Sequence, residues 1–552
     1  MSRAIVVLTL LTVFPWWFPL SAKPQIQPKP RRLSTHSPWF PVNQSDVELH
    51  ESYSGWDIQN QERFSRLTIE IQAKQMIAQA QSSIVVSMFL FDNLYSKTTP
   101  PWDLVRELTN LLVWKKKQNP KMPIAVIFDP INKAYADRMS ESTRRFLENV
   151  IDIFYSDLVS TKPASRLGIV QGLRRILRAI NLSTDKIPGW VFSRAARLKI
   201  PFVPFEIDGD RVSWKTLFNA ALLKANHRKV LVIDGNTENA MALVGSANAH
   251  NASLPSTNFA VSAKGAVANY IYMVLREDIR QSLLLDQDYV AWSKTTEPSP
   301  ENYLQNILPP IAEEELYKSL EQQSIEDPAW VAFVTETEIK REILRMLRDA
   351  NGDDEVRFQM FYLSDVEILE ELLNAASRVA NPIRGLLDPS KDALGKIKDG
   401  SPNRQVAAYL MRERNRSDSP LNLAIRWYST HGEQNHAKSM SVTNPRTGKY
   451  EYIGGSANWT RKNLDGINME SDFVLKNAKG IVSKFNSLFD MFWDNPPGIE
   501  YSVAYDDPRF GYNESPPMWK WARQKRRCLG LLRKVDESTG RPILQENALV
   551  GW

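Results

Sequence analysis

Cysteine is almost absent from this chain. Of 552 residues one is a cysteine, Cys528. No disulfide can close within the chain, and no cysteine set is available to hold a metal. Histidine is nearly as scarce, at six residues, so any imidazole chemistry draws on very few positions. Charge of one sign is not in excess either. The 69 Lys and Arg against 63 Asp and Glu leave a net charge of +6, which permits an anionic partner without requiring one. Beyond the N-terminus no segment approaches the ~20 consecutive apolar residues of a membrane helix. What remains, at 43% hydrophobic and 24% charged, is the composition of a globular chain long enough for two or more cored domains.

The N-terminus reads MSRAIVVLTLLTVFPWWFPLSAKPQ. Arg3 gives a short positive start, Ala4 to Leu20 is apolar, and Leu20-Ser21-Ala22 ends in small residues. This is the pattern of a signal peptide over residues 1–22, cleaved after Ala22, and it implies an exported protein, periplasmic or secreted. The alternative is an uncleaved anchor helix, against which stand Pro15, Pro19 and the shortness of the run. Residues 23–60, rich in Pro, Ser, Gln and Trp, show no period and read as an extended N-terminal arm.

From there the chain repeats itself. Helical pattern at 67–80, strand pattern at 84–91 and helical pattern at 102–114 lead to PIAVIFDP at 123–130. The same succession at 338–350, 356–363 and 366–380 leads to PIRGLLDP at 382–389. Such alternation predicts an α/β fold of two halves, each a mixed sheet flanked by helices. The halves fall at 61–294 and 331–500, joined by a Pro-rich acidic linker at 295–330, with a basic Trp-containing tail at 501–552. The first half carries a basic insertion at about 139–190. Within it Val170, Leu173, Leu177 and Ile180 share a helical face, with Arg174, Arg175 and Arg178 off it. A helix of this kind suits either an anionic membrane surface or its own domain.

The repeat extends to residues that carry chemistry. The first half holds HRKVLVID at 227–234 and GSAN at 245–248; the second holds HAKSMSVT at 436–443 and GSAN at 455–458. Pairing the halves brings two histidines, two lysines, two serines and two asparagines to one interface. Phosphodiester cleavage uses such a set. Lys229, Lys438, Asn248 and Asn458 hold the non-bridging oxygens. One imidazole attacks phosphorus and the other protonates the leaving oxygen. Gly245 and Gly455, before Ser246 and Ser456, let the backbone approach the ligand. With this fixed positive charge the reaction needs no metal and no cofactor. His431, Glu433 and His436 have metal-like spacing but no companion ligands, and no Ser-His-Asp grouping surrounds Ser246 or Ser456.

H-x-K-x-x-x-x-D followed by G-S-x-N, twice in one chain, resembles the phospholipase D superfamily over about residues 65–495. The resemblance implies two pseudo-twofold-related halves around a single active site, a phosphohistidine intermediate and no metal. By position it assigns His227, Lys229 and Asp234 with Ser246 and Asn248, and His436 and Lys438 with Ser456 and Asn458. In the family the aspartate supports the fold away from the phosphate; the second copy has Thr443 in its place. A downstream carboxylate, Glu470 in Asn468-Met469-Glu470, is matched in the first half by Asn258-Phe259-Ala260, so there the carboxylate is missing at Ala260. By analogy with related enzymes Glu470 orients the histidine of the opposite half, which makes His227 the nucleophile and His436 the general acid, with a bell-shaped pH profile.

The expected substrate is a glycerophospholipid at a membrane surface, hydrolysed to phosphatidic acid and head group. Export, the basic helix and the stretch MWKWARQKRRCLGLLRK at 518–534 favour lipid. RWYSTHGEQNHAKSMS and GSANWTRKNLDGINMES also look like bacterial phospholipase D-like proteins. Alternatives are a nuclease or DNA-end phosphodiesterase, a phosphatidyltransferase of the cardiolipin-synthase kind, and a secreted binding protein on the same fold. With both motifs in one chain, a monomer suffices.

Overall fold

The computed structural model describes residues 34–92, 103–129, 132, 141–156, 225–285, 300–312, 325–389, 402–416 and 421–509, with short strand pieces elsewhere. The signal-like segment 1–22, the basic helix at 166–180 and the Trp-rich stretch 518–533 lie outside the described residues.

Two mixed sheets carry the fold. In the first half the site-building elements are β1 (Phe40–Val42), β2 (Val47–Asp57), α1 (Thr68–Gln79), β3 (Ile84–Met88), α2 (Leu104–Gln118), β4 (Ile124–Phe128), β5 (Asp152–Tyr155), β6 (Lys229–Ile233), β7 (Met241–Gly245), β8 (Asn258–Lys264) and α3 (Ala266–Leu285). In the second they are β9 (Ala329–Thr335), α4 (Thr337–Arg348), β10 (Glu355–Met360), α5 (Val366–Ala376), β11 (Ile383–Leu387), β12 (Leu423–Tyr428), β13 (Lys438–Asn444), β14 (Lys449–Gly455), β15 (Ser471–Lys476) and α6 (Lys479–Asp494).

The strand order is the same in both halves: β5-β4-β3-β6-β7-β8-β2 and β12-β11-β10-β13-β14-β15-β9. In each, three parallel strands join four antiparallel ones. The equivalence of β2 and β9 corrects the expected N-terminal arm. The first half begins at Val47, inside the segment read as an arm, because alternation along β2 is hidden by its burial on both faces. β1 crosses to the other sheet and pairs with β9, Phe40 opposite Val331.

Helices α3 and α6 lie between the two sheets. Ile271, Leu275 and Ile279 recur at four-residue spacing, as do Phe485 and Phe489, and all are fully buried in one central core. Two outer cores sit under α1 and α2 and under α4 and α5. Sandwiching explains the aliphatic run in HRKVLVID. Val230 and Val232 face the central core, Leu231 and Ile233 the outer one. Part of the expected linker is also packed: a helix at Pro300–Ile307 buries Leu304, and Leu308 follows it into the central core. The start of the expected tail, Ser502–Ala504, pairs with β12 as an edge strand.

Candidate active site

Each histidine stands just before a central strand, and its backbone is tied to the opposite half. Asn226 bridges Met469, and the N–H of His227 donates to the Met469 carbonyl at 2.8 Å. Asn435 likewise bridges Thr257. The repeated aspartates of PIAVIFDP and PIRGLLDP hold these loops from beneath. Asp129 accepts from the N–H of Asn226 at 2.5 Å and Asp388 from that of Asn435 at 2.8 Å.

The two lysines are placed alike. Lys229 Nζ donates to the His227 carbonyl at 2.6 Å and lies 5.0 Å above the Phe89 ring. Lys438 Nζ donates to the His436 carbonyl at 2.5 Å and lies 5.1 Å above Phe361. The same two rings pack against the imidazoles, each at 4.9 Å. Phe89 and Phe361 were not found in the sequence; the signal was the Met-Phe pair that ends both β3 and β10. Asn132 and Asn403 fix these phenylalanine loops, each donating to the phenylalanine carbonyl at 2.6 Å.

The halves differ behind the imidazoles. His227 Nδ1 is 2.9 Å from Glu470 Oε2. Glu470 also accepts from Ser456 Oγ at 2.5 Å and from the Asn463 amide. His436 Nδ1 is 2.9 Å from Asn258 Oδ1, which accepts from Ser246 Oγ at 2.9 Å. Asn258 Nδ2 donates to the Ser256 carbonyl at 3.0 Å, which turns its oxygen toward the histidine. The structural counterpart of Glu470 is therefore Asn258, not Ala260. Ala260 matches Asp472: a Cβ on Gly245 would meet Ala260, and one on Gly455 would meet Asp472. The second-half loop is two residues longer, and matching by the shared asparagines hid this. With both Nδ1 atoms facing acceptors, each ring carries its proton there and keeps Nε2 free.

The structure also places the serines, glycines and Asp234 of the motifs. Ser246 and Ser456 are buried and donate their hydroxyls to Asn258 and Glu470, the acceptors behind the two imidazoles. Gly245 and Gly455 serve close strand-to-strand approach, not ligand approach. Asp234 lies at the far end of β6, about 16 Å along the strand from Lys229. Its carboxylate accepts from the N–H groups of Gln81, Ser82 and Ser83, which ties it to the fold, as the resemblance implies, and not to the grouping of His227 and Lys229. Asn248 and Asn458, by contrast, match one another: each has a buried Oδ1 with no hydrogen-bond partner. His431 stacks on Trp56 at 4.3 Å, and Glu433 pairs with Arg63 at 2.8 Å, which accounts for both in the loop leading to β13.

Burial governs the electrostatics. It pushes His227 down to about 4, against the pull of Glu470. It holds His436 well below its usual value, and Lys438, Lys229 and His227 lower it further. Lys229 is pushed down to about 7 by burial, opposed by Glu470, Asp129 and Asp472. Lys438 falls well below the ordinary lysine value through burial and the Lys229 charge. These mutual influences place all four groups in one field. Burial tends to raise the Glu470 carboxyl, but His227, Lys229 and Ser456 outweigh it and keep it a carboxylate. Asp472 is pushed up to about 8 by burial, so it adds little negative charge at neutral pH. Two lysines beside two imidazoles, with their charged forms disfavoured by burial, suit an anion, whose charge would favour their protonated forms.

Sequence reasoning also missed Arg228. Its guanidinium is buried between Asp278 and Glu336, 2.7 Å from the latter. The second copy has Ala437 at this place.

Among the described residues no helix is long and apolar enough to cross a membrane. No curated protein matches the chain. A family profile described as "Cardiolipin synthase, PLD-like domain" matches residues 343–493. Among solved structures, phosphatidylserine synthase of Haemophilus influenzae Rd KW20 is similar with a TM-score of 0.51 at 12% identity, over 88% of this chain and 95% of that one. Polyphosphate kinase from Porphyromonas gingivalis aligns at TM-score 0.39 and 11% identity, over 83% of this chain and 50% of that one. Nuc from Salmonella typhimurium, a phospholipase D family member, aligns at TM-score 0.24 and 16% identity, over 32% of this chain and 98% of that one. The chain carries a PLD-like domain over residues 343–493, and the shared fold and two H-x-K and G-S-x-N copies folded onto one site are consistent with the phospholipase D superfamily.

Proposed function

We propose that the chain transfers the phosphatidyl group of a glycerophospholipid, first to His227 and then to water, giving phosphatidic acid and a free head group. The observation that carries this reading is the unequal support of the two imidazoles: a carboxylate behind His227, an amide behind His436. Ionised Glu470 accepts a hydrogen bond from Nδ1–H and stabilises positive charge as Nε2 of His227 attacks phosphorus. The P–N bond forms as the ester P–O bond breaks, and protonated His436 gives its Nε2 proton to the leaving oxygen. Neutral His436 then takes a proton from water, whose oxygen displaces His227. The bound phosphodiester anion supplies the charge that raises His436 enough to protonate it. Lys229, Lys438, Asn248 and Asn458 face the non-bridging oxygens in this arrangement.

A lipid substrate is supported by the N-terminal signal pattern, which implies export, and by the basic Trp-rich stretch at 518–534 for docking on a membrane surface. A single chain carries both motifs, so it acts as a monomer. The second reading is transfer to an alcohol in place of water, favoured by the description of the matching family. The test gives the purified chain phosphatidylcholine or phosphatidylglycerol vesicles and single-stranded DNA in parallel, with EDTA. Head-group release lost in His227→Ala is expected. Phosphatidyl transfer to added glycerol in excess of hydrolysis would select the second reading, and DNA cleavage without lipid turnover would replace both with a nuclease.

A further inference from the structure

The x of the first H-x-K is an arginine with an unusual burial. Arg228 is 1% exposed and reaches three partners from the second half and the central helix. Nη1 donates to Asp278 on α3, and Nη2 donates to Glu336 Oε1 at 2.7 Å. Nε donates to the main-chain carbonyl of Glu470 at 3.3 Å. The same Oε1 of Glu336 accepts the Glu470 N–H at 3.2 Å. The main chain of Glu470 is thus held at its N–H by Glu336 and at its carbonyl by Arg228, and those two hold each other. Glu336 adopts φ +47°, a conformation a non-glycine residue keeps only where its surroundings enforce it.

The support is one-sided. Ala437 stands where Arg228 stands in the other copy and has no side chain with which to hold the main chain of Asn258, the partner of His436, in the same way. A buried guanidinium is costly unless its forks are filled. Placing one behind a single imidazole marks that imidazole's carboxylate as the one whose position matters. The requirement is geometric: a few tenths of an ångström at Glu470 changes the bond to His227 Nδ1.

We propose that Arg228 is a positioning residue, which with Glu336 clamps the Glu470 main chain across the two halves and so fixes the carboxylate against Nδ1 of the attacking His227. This rests on the phosphohistidine reading above for its kinetic consequence but not for its spectroscopic one.

Arg228→Lys keeps the charge and loses the fork. In protein labelled with 15N-histidine, the hydrogen-bonded Nδ1–H proton of His227, assigned by its change in Glu470→Gln, is expected far downfield in the wild type. It should move upfield in folded Arg228→Lys, while the His436 signal stays in place. The kcat for lipid turnover should fall about 10- to 100-fold with KM within about 2-fold, as for loss of outer support to a reacting group. An unmoved His227 signal in folded Arg228→Lys overturns the proposal. Should that variant not fold, Glu336→Gln keeps an acceptor for the Glu470 N–H but loses the charge facing Arg228. A smaller shift in the same direction is expected there, and no shift overturns the proposal. A wild type that turns over no phosphodiester would refute the proposed function while the proton signal still tests the clamp.

Discussion

Asn258 Oδ1 lies 2.9 Å from Nδ1 of His436, in the place that a carboxylate takes behind the other histidine. An amide oxygen accepts the same proton but carries no charge, so it orients the ring without making it a stronger nucleophile. Glu470→Gln should therefore cost 10²-fold or more in phosphoenzyme formation, since a glutamine can present its NH2 and select the wrong tautomer. Asn258→Asp should cost less than about 10-fold, because it strengthens the base without misdirecting it. Rapid-quench measurement of both variants checks the ranking; equal losses would remove the asymmetry of roles.

The two histidines should separate cleanly with a substrate whose leaving group needs no proton, such as a p-nitrophenyl phosphodiester. His436→Ala should still release one equivalent of nitrophenol and accumulate the remaining phosphomonoester on His227, read by mass spectrometry of the acid-labile peptide. His227→Ala should give neither. Phosphate found on His436 in the wild type would reverse the assignment.

The pH dependence should not be the simple two-imidazole bell expected from sequence. Burial holds His227 at about 4 and Lys229 at about 7 in the free protein. His227 is competent when neutral, so kcat/KM should rise as pH climbs through about 4. Protonated His436 donates to the leaving oxygen and charged Lys229 binds the anion, so kcat/KM should fall as His436 loses its proton and fall further through about 7 as Lys229 does. In Lys229→Arg, whose guanidinium does not titrate in this range, the step near 7 should disappear while the His436 step remains. A step that stays in place assigns it elsewhere.

Asp234 should matter to stability alone. It caps three N–H groups at Gln81, Ser82 and Ser83 from a backbone at φ +53°. Asp234→Ala leaves those donors without it and should cost about 1–3 kcal/mol in urea unfolding. The kcat of the folded fraction should stay within about 2-fold, and a larger fall would return Asp234 to the chemistry.

A cavity of about 60 Å³ lies under Lys229 and Asn248, with Ala249 and Ala260 among its walls. Their second-half counterparts are Trp459, which is buried and stacks on Phe358, and Asp472. Ala249→Leu should fill part of this space and raise stability by up to about 1 kcal/mol. Calorimetry checks this, and a loss of stability would mean the walls cannot accept the added atoms.

The repeat was legible because each half obeys the same local rules. HRKVLVID and HAKSMSVT, the two GSAN turns and the two D-P ends all fall on equivalent strands and loops. The crossing of Glu470 to His227 was legible only by analogy, since no local pattern states which half a loop faces. Asn258 was misplaced by two residues because the loop after the second GSAN is longer and holds a helical turn at Arg461–Leu464. The clamp of Arg228 was invisible for a related reason. Its partners Asp278, Glu336 and Glu470 lie 50, 108 and 242 residues further along the chain and meet only once both sheets have formed.

The exchange of strands between the halves bears on how the molecule is made. β1 belongs to the first half in sequence but pairs with β9, while Ile499–Glu500, after the last helix of the second half, pairs back with β2. A nascent first half has neither its final edge nor the Met469 and Glu470 that complete its histidine. Pairings such as Phe40 with Val331 close loops of nearly three hundred residues, the kind that slows folding most. By these pairings the first half can complete its edge and the support of His227 only once the chain has been synthesised through Glu500.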